Sequence, residues 1–163
     1  MKTPRIGHGL DIHRLEGGDG LVIGGAAVAC DLRAVAHSDG DALLHAVTDA
    51  VLGALGEDDL GTLFPDSEER NRNRPSADFL EEALRRMRAA GYQLASLDAT
   101  LLLERPRIGP HRGRIRSSLA DLCGVETDRV NCKAKTAEAL GPVGRSEAMA
   151  AEAVVLLVPR GEG

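Results

Sequence analysis

Residues 37–57 read HSDGDALLHAVTDAVLGALGE, and at this stretch the chain changes period. Leu44, Val47, Val51 and Leu55 recur at steps of three and four, the stripe of an amphipathic helix. Ser38 or Asp39 is the expected cap, because a short oxygen-bearing side chain there can accept a free N–H of the first turn. Upstream, residues 5–13 show no such stripe and carry Gly7 and Gly9 ahead of a turn at Gly17, Gly18 and Gly20, which predicts a strand entering a hairpin. LVIGGAAV at 21–28 predicts two short strands folded about Gly24 and Gly25.

Downstream, DLGTLFPDSEERNRNRP at 59–75 predicts a loop, and Leu80, Ala83, Leu84 and Met87 mark a second helix that Gly91 ends. In ASLDATLLL at 95–103, Leu97, Ala99, Leu101 and Leu103 share one face of a strand. Pro110 opens a third helix striped by Ile115, Leu119 and Leu122 and stopped by Gly124. Val130, Cys132 and Ala134 alternate with polar partners, and AVVLLV at 153–158 predicts a last, fully buried strand. Alternating strands and helices are most economically packed as an α/β fold of α+β type, one mixed sheet covered on one face by helices. Residues 1–159 are expected to form a single domain and 160–163 a short tail.

The chain has 163 residues, 43% hydrophobic but only 2% aromatic, so Leu, Val, Ala and Ile must build the core. A net charge of -5 leaves no overall positive field for nucleic acid or an anionic membrane. No apolar run approaches the roughly 20 residues of a membrane helix, and the N-terminus lacks a secretory h-region. Cys30, Cys123 and Cys132 are too few for a disulfide framework and read as small hydrophobes in a reducing compartment. The expected location is a bacterial cytoplasm.

Asp11 and His13 stand two apart on the predicted strand, so their side chains leave the same face and can reach one ion. A catalytic zinc takes three protein ligands and keeps a fourth position open. His45 is the candidate third, because Asp41, His45 and Asp49 follow at i, i+4 and i+8 on one helix face, where a flanking carboxylate could orient the imidazole. Taken singly, each histidine reads more simply as an ordinary hydrogen-bonded side chain. The spacing alone therefore leaves both readings open.

GHGLDIH at 7–13, AHSDGDALLHAVTDAVLGALG at 36–56, DLGTLFPDS at 59–67 and AKTAEALG at 134–141 are more specific together than any is alone. In this order, over nearly the whole chain, they resemble the 2-C-methyl-D-erythritol 2,4-cyclodiphosphate synthases of the non-mevalonate isoprenoid pathway. The resemblance implies a metal-dependent phosphorus-oxygen lyase that converts 4-diphosphocytidyl-2-C-methyl-D-erythritol 2-phosphate to the 2,4-cyclodiphosphate and CMP. It also implies a homotrimer, its sheets facing the threefold axis and its active sites between subunits. An attacking phosphate oxygen is already anionic near neutral pH, so the reaction calls for charge neutralisation and positioning rather than a Ser or Cys nucleophile.

Carried over residue by residue, the resemblance implies zinc, or another divalent transition metal, at Asp11, His13 and His45. It implies magnesium or manganese bridging the diphosphate, with Glu138 as the main protein ligand. His37 and Thr136 fall where transition-state hydrogen-bond donors stand, with Ser38 on the same loop. Asp59, Gly61, Phe64, Pro65 and Asp66 fall on the loop that meets substrate. Leu103, Glu104, Arg105, Pro106, Arg107, Ile108 and Gly109 match the segment that cradles cytosine.

Lys135 and Ala137 stand where relatives often carry hydroxyls, and both are expected beside the phosphates. Pro142 replaces an aromatic that lines an axial cavity. Arg145 and Glu152 match positions that in some relatives meet an isoprenoid diphosphate, so Arg145 counts among the binding residues. Arg105, Arg107, Arg112, Arg114 and Arg116 form the one basic cluster, mostly expected as a solvated face. The alternatives are a non-catalytic trimer that binds isoprenoid diphosphates, and a metal-dependent phosphohydrolase that would release free phosphate.

Overall fold

The computed structural model describes residues 2–65, 67–71 and 74–161, and the segment GHGLDIH lies in its longest strand, Arg5–Gly17 (β1). Leu21–Ile23 (β2) and Ala26–Val28 (β3) form a separate hairpin. Its turn uses positive φ at both Gly24 and Gly25, which a two-residue turn matching the strand twist requires. Leu32–Val35 (β4), Tyr92–Leu102 (β5), Val130–Lys135 (β6) and Ala148–Pro159 (β7) complete one five-stranded sheet with β1. Its order is β4-β1-β7-β5-β6, parallel only between β5 and β6, so the sheet is mixed.

Three helices, Ala42–Leu55 (α1), Ser76–Ala89 (α3) and Arg112–Cys123 (α4), cover one face of the sheet. Between α1 and α3 lies a short helix, Leu60–Leu63 (α2), and Gly141–Gly144 (α5) precedes β7. The core is the expected aliphatic one. Leu97, Ala99, Leu101 and Leu103 face the helices, as do Val130 and Cys132, while Leu44, Val47 and Val51 of α1 are fully buried. Gly124 closes α4 in the left-handed conformation.

α1 lies very close to β1. A Cβ at Gly9 would stand 2.0 Å from the Ala46 carbonyl oxygen, and one at Gly7 1.8 Å from that of Ala50. Asp11 and His13 continue the same face of the strand toward the start of the helix, where His45 sits.

Several expectations are corrected. The N-cap of α1 is Asp41, whose carboxylate accepts from Leu44 N, while Ser38 and Asp39 accept from Gly40 N and Asp41 N in the turn before it. The 59–75 segment is not all loop, since it holds α2 and a 3-10 turn at Glu69–Asn71. β7 is longer than 153–158 and is buried on one face only, with Val154 and Leu156 outward. β4 carries no clear signal in the sequence and was not expected. The arginines of α4 are more than a solvated face: Arg112 and Arg116 donate to the Cys132 and Val130 carbonyls of β6, and Arg114 to the Ala27 carbonyl of β3. Cys123 and Cys132 are buried, as expected of small hydrophobes, and Cys30 is half-buried.

Candidate active site

Asp11, His13 and His45 meet where β1 passes the first turn of α1. The Asp11 Oδ2 to His13 Nε2, Asp11 Oδ2 to His45 Nδ1 and His13 Nε2 to His45 Nδ1 distances are all 3.2 Å. Three donors around a tetrahedral ion, each about 2.0–2.2 Å from it, stand about 3.3–3.6 Å apart, so this triangle is close to the right size, slightly contracted. Two imidazole nitrogens and one carboxylate are also a donor set suited to zinc and its neighbours. Among the described residues no other group of three such side chains converges in this way. Burial pushes the Asp11 carboxyl up, but the His45 hydrogen bond, the two histidines' charges and the Ile12 N–H outweigh it and hold the group below its ordinary value. It is thus kept in the ionised form that a cation needs.

The triad opens into a cleft of about 370 Å³ whose walls include His37, Ser38, Asp49, Asp59, Gly61 and Phe64. Asp59 caps α2 by accepting from Thr62 N, and that bond holds its carboxyl below the ordinary value. Phe64 stacks on Phe79 with ring centroids 4.8 Å apart, and Arg74 lies over both rings. This packing ties the segment after α2 to α3. Pro65 accepts through its carbonyl from the Asn71 side chain, and Asp66 lies outside the described residues.

The remaining site candidates gather elsewhere. Leu103, Glu104, Pro106, Arg107, Ile108, Gly109, Lys135 and Thr136 line a second cleft of about 230 Å³ at the ends of β5 and β6. Ala137 N donates to Glu104, and Thr136 Oγ1 donates to Glu138. β6 lies three strand spacings from β1, about 14 Å. One chain therefore separates the triad from Thr136 and Glu138. Arg105 pairs with Asp31, and Arg145 pairs with Glu147; neither lines either cleft.

The flanking carboxylates do not orient His45. Asp41 is fully buried and accepts from Gly24 N, Gly25 N and Leu44 N, while Asp49 accepts from Leu60 N. The partners of His45 Nε2 are instead Ser76 Oγ at 2.9 Å and Ser38 Oγ at 3.3 Å. Ser76, Asn71 and Phe79 were missed as site residues. In the sequence Ser76 belongs to no motif, and no local spacing links it to a histidine 31 residues earlier.

Residues 4–158 match the model of the YgbB family. The 2-C-methyl-D-erythritol 2,4-cyclodiphosphate synthase of Rhodopirellula baltica is 52% identical over 157 residues, 96% of this chain and 94% of that protein. The chloroplastic enzyme of that name from Arabidopsis thaliana is 50% identical over 156 residues, 96% of this chain and 68% of that protein. A solved structure of 2C-methyl-D-erythritol-2,4-cyclodiphosphate synthase in a CDP-bound form superposes with a TM-score of 0.88 at 44% identity. The match covers 94% of this chain and all of that one.

Proposed function

The chain belongs to the YgbB family, that of the 2-C-methyl-D-erythritol 2,4-cyclodiphosphate synthases, and we propose that its two clefts are the two halves of that enzyme's active site. The activity is conversion of 4-diphosphocytidyl-2-C-methyl-D-erythritol 2-phosphate to the 2,4-cyclodiphosphate and CMP, a phosphorus-oxygen lyase reaction. The 2-phosphate attacks the inner face of its own diphosphate chain at the β-phosphorus, and the bond from that phosphorus to the CMP oxygen breaks. The non-catalytic reading is not favoured, since the relatives carry the synthase name and one was solved with CDP.

The converging triad carries this reading. Asp11, His13 and His45 would hold zinc or a similar divalent ion, which supplies Lewis acidity to neutralise a phosphate oxygen. His37 and Thr136 donate hydrogen bonds to phosphate oxygens as charge redistributes. Asp59, Gly61, Phe64 and Pro65 shape the place of the methylerythritol, to which the family resemblance also assigns Asp66. The second cleft takes the cytidine, and Lys135 and the Ala137 backbone lie beside the phosphates. Glu138 supplies a lone hard oxygen ligand, which suits magnesium or manganese, since such ions take one or two carboxylates and complete their shell with substrate phosphates and water.

Because the halves lie on different parts of one chain, a site is completed between subunits of a homotrimer. The outward sheet face supports this: Ile6, Leu10 and Ile12 of β1 are 73%, 58% and 61% exposed and adjoin Val154 and Leu156 of β7. A surface this rich in exposed aliphatic side chains, broken only by His8 and Glu152, is typical of an interface. Among the described residues no helix is long and apolar enough to cross a membrane.

The test is CMP release from the diphosphocytidyl substrate with magnesium present. Asp11→Ala and His45→Ala are each expected to lose at least roughly 100-fold in kcat/KM, the scale of losing one electrostatic stabiliser. CMP release untouched by both would sink the assigned metal site, and release of inorganic phosphate in place of the cyclic product would indicate a phosphohydrolase.

A further inference from the structure

We propose that Ser76 and Asp39 are positioning residues for His45: a serine hydroxyl relay holds the imidazole with its Nδ1 facing Asp11 and His13. The inference rests on the metal-site reading above. It begins with Asp39, whose carboxylate accepts from the Ser76 backbone N–H at 3.2 Å and from the Ser76 hydroxyl. A carboxylate has no proton to give, so that second bond uses the only proton of the serine hydroxyl. Toward His45 Nε2, 2.9 Å away, Ser76 Oγ can then act only as acceptor. Nε2 must carry the hydrogen, and a neutral imidazole has just one.

In the neutral ring Nδ1 is consequently a lone pair, 3.2 Å from Asp11 Oδ2. Two electron-rich atoms at that distance need a proton or a metal ion between them: in the ion-free triad a proton on Nδ1 makes the hydrogen bond to Asp11, and an incoming ion displaces it. The relay therefore presets His45 as a ligand before an ion arrives. Its placement is firm: Ser76 is fully buried as the first residue of α3, and His45 is 8% exposed with Phe79 beside its ring. Ser38 adds a weaker contact to the same nitrogen while accepting from Gly40 N. Ser76, the first residue of α3, thus also aims a side chain of α1.

Metal-stripped protein is titrated with cobalt(II) and with zinc against a chelator, following the visible cobalt spectrum, and the melting temperature of the metal-free form is recorded alongside. Ser76→Ala is expected to weaken binding by about 10 to 100-fold and to alter the cobalt spectrum, as loss of a group that orients a ligand does, with metal-free melting unchanged. Ser76→Thr, which returns the hydroxyl, is expected to bind within about threefold of wild type. A folded Ser76→Ala protein with wild-type affinity overturns the proposal. Should that variant not fold, Asp39→Asn carries the test: weakening by about threefold or more supports the relay, and unchanged affinity overturns it. Wild-type protein that binds no ion, or His45→Ala protein that binds as tightly as wild type, overturns instead the metal-site reading on which the relay depends.

Discussion

At Asp41 a carboxylate is shut away from water and held by the backbone N–H groups of Gly24, Gly25 and Leu44. Burial outweighs these three donors and pushes the group up to about 6 from 3.8. A carboxyl raised in the folded state binds its proton more tightly there than in the unfolded chain. Stability is therefore lost as pH climbs from about 4 to about 6, by at most about 3 kcal/mol. Asn at this position does not ionise. In urea unfolding at about pH 4.5 and about pH 6.5, the stability advantage of wild type over Asp41→Asn is expected to shrink at the higher pH; an advantage that grows would show the backbone donors prevailing. The same residue marks how far single positions were legible. Asp11, His13 and His45 could be picked from the spacing and the motifs, and they do converge. What orients them could not be picked, because the tether of Asp41 to the Gly24–Gly25 turn and the Ser76 contact join residues 16 to 31 positions apart, which no local spacing encodes.

The contact between β1 and α1 is the element-scale device that assembles the triad. Alternate residues of β1 toward the helix are Gly7, Gly9, Asp11 and His13, two absent side chains followed by two ligand candidates. The glycines let the helix backbone approach, and its first turn then presents His45 at ligand distance. Gly9→Ala would set a methyl 2.0 Å from the Ala46 carbonyl oxygen, so α1 must move away. The expected cost is about 3 kcal/mol, or a fall of roughly 6 to 12 °C in melting temperature for a domain of this size. A shift of the helix also spreads the donors, so zinc affinity is expected to fall by more than about 10-fold. Wild-type melting and affinity in this variant would show that the close approach does not set the site. Periodicity located β5, α1 and α3 well, since each buries one face against one neighbour. It misread β7, where outward Val154 and Leu156 made a one-sided strand look buried on both sides.

Across the whole molecule, those outward side chains belong with the separation of the two clefts. The apolar half of the open sheet face is formed by β1 and β7, while the half formed by β5 and β6 is polar, with Asn131 and Lys133 both donating to Asp98. Composition cannot show that an apolar residue ends up outside, so this surface was legible only through the family resemblance. If the apolar half is buried between subunits, charges there must break the assembly while leaving each chain folded. Ile6 and Leu10 are already exposed in the single chain, so Ile6→Lys with Leu10→Lys is expected to change its own stability by no more than about 0.5 kcal/mol per site. Burying two unpaired ammonium groups at an interface costs several kcal/mol or more. Light scattering should give three chains for the wild type and one for the double variant. The monomer should still take up one zinc at Asp11, His13 and His45, because β1 and α1 alone supply the ligands, yet it should lose CMP release, because its triad and its Thr136 cleft no longer face each other across a subunit boundary. A monomeric variant that retains full CMP release would place the whole active site within one chain and refute the shared arrangement.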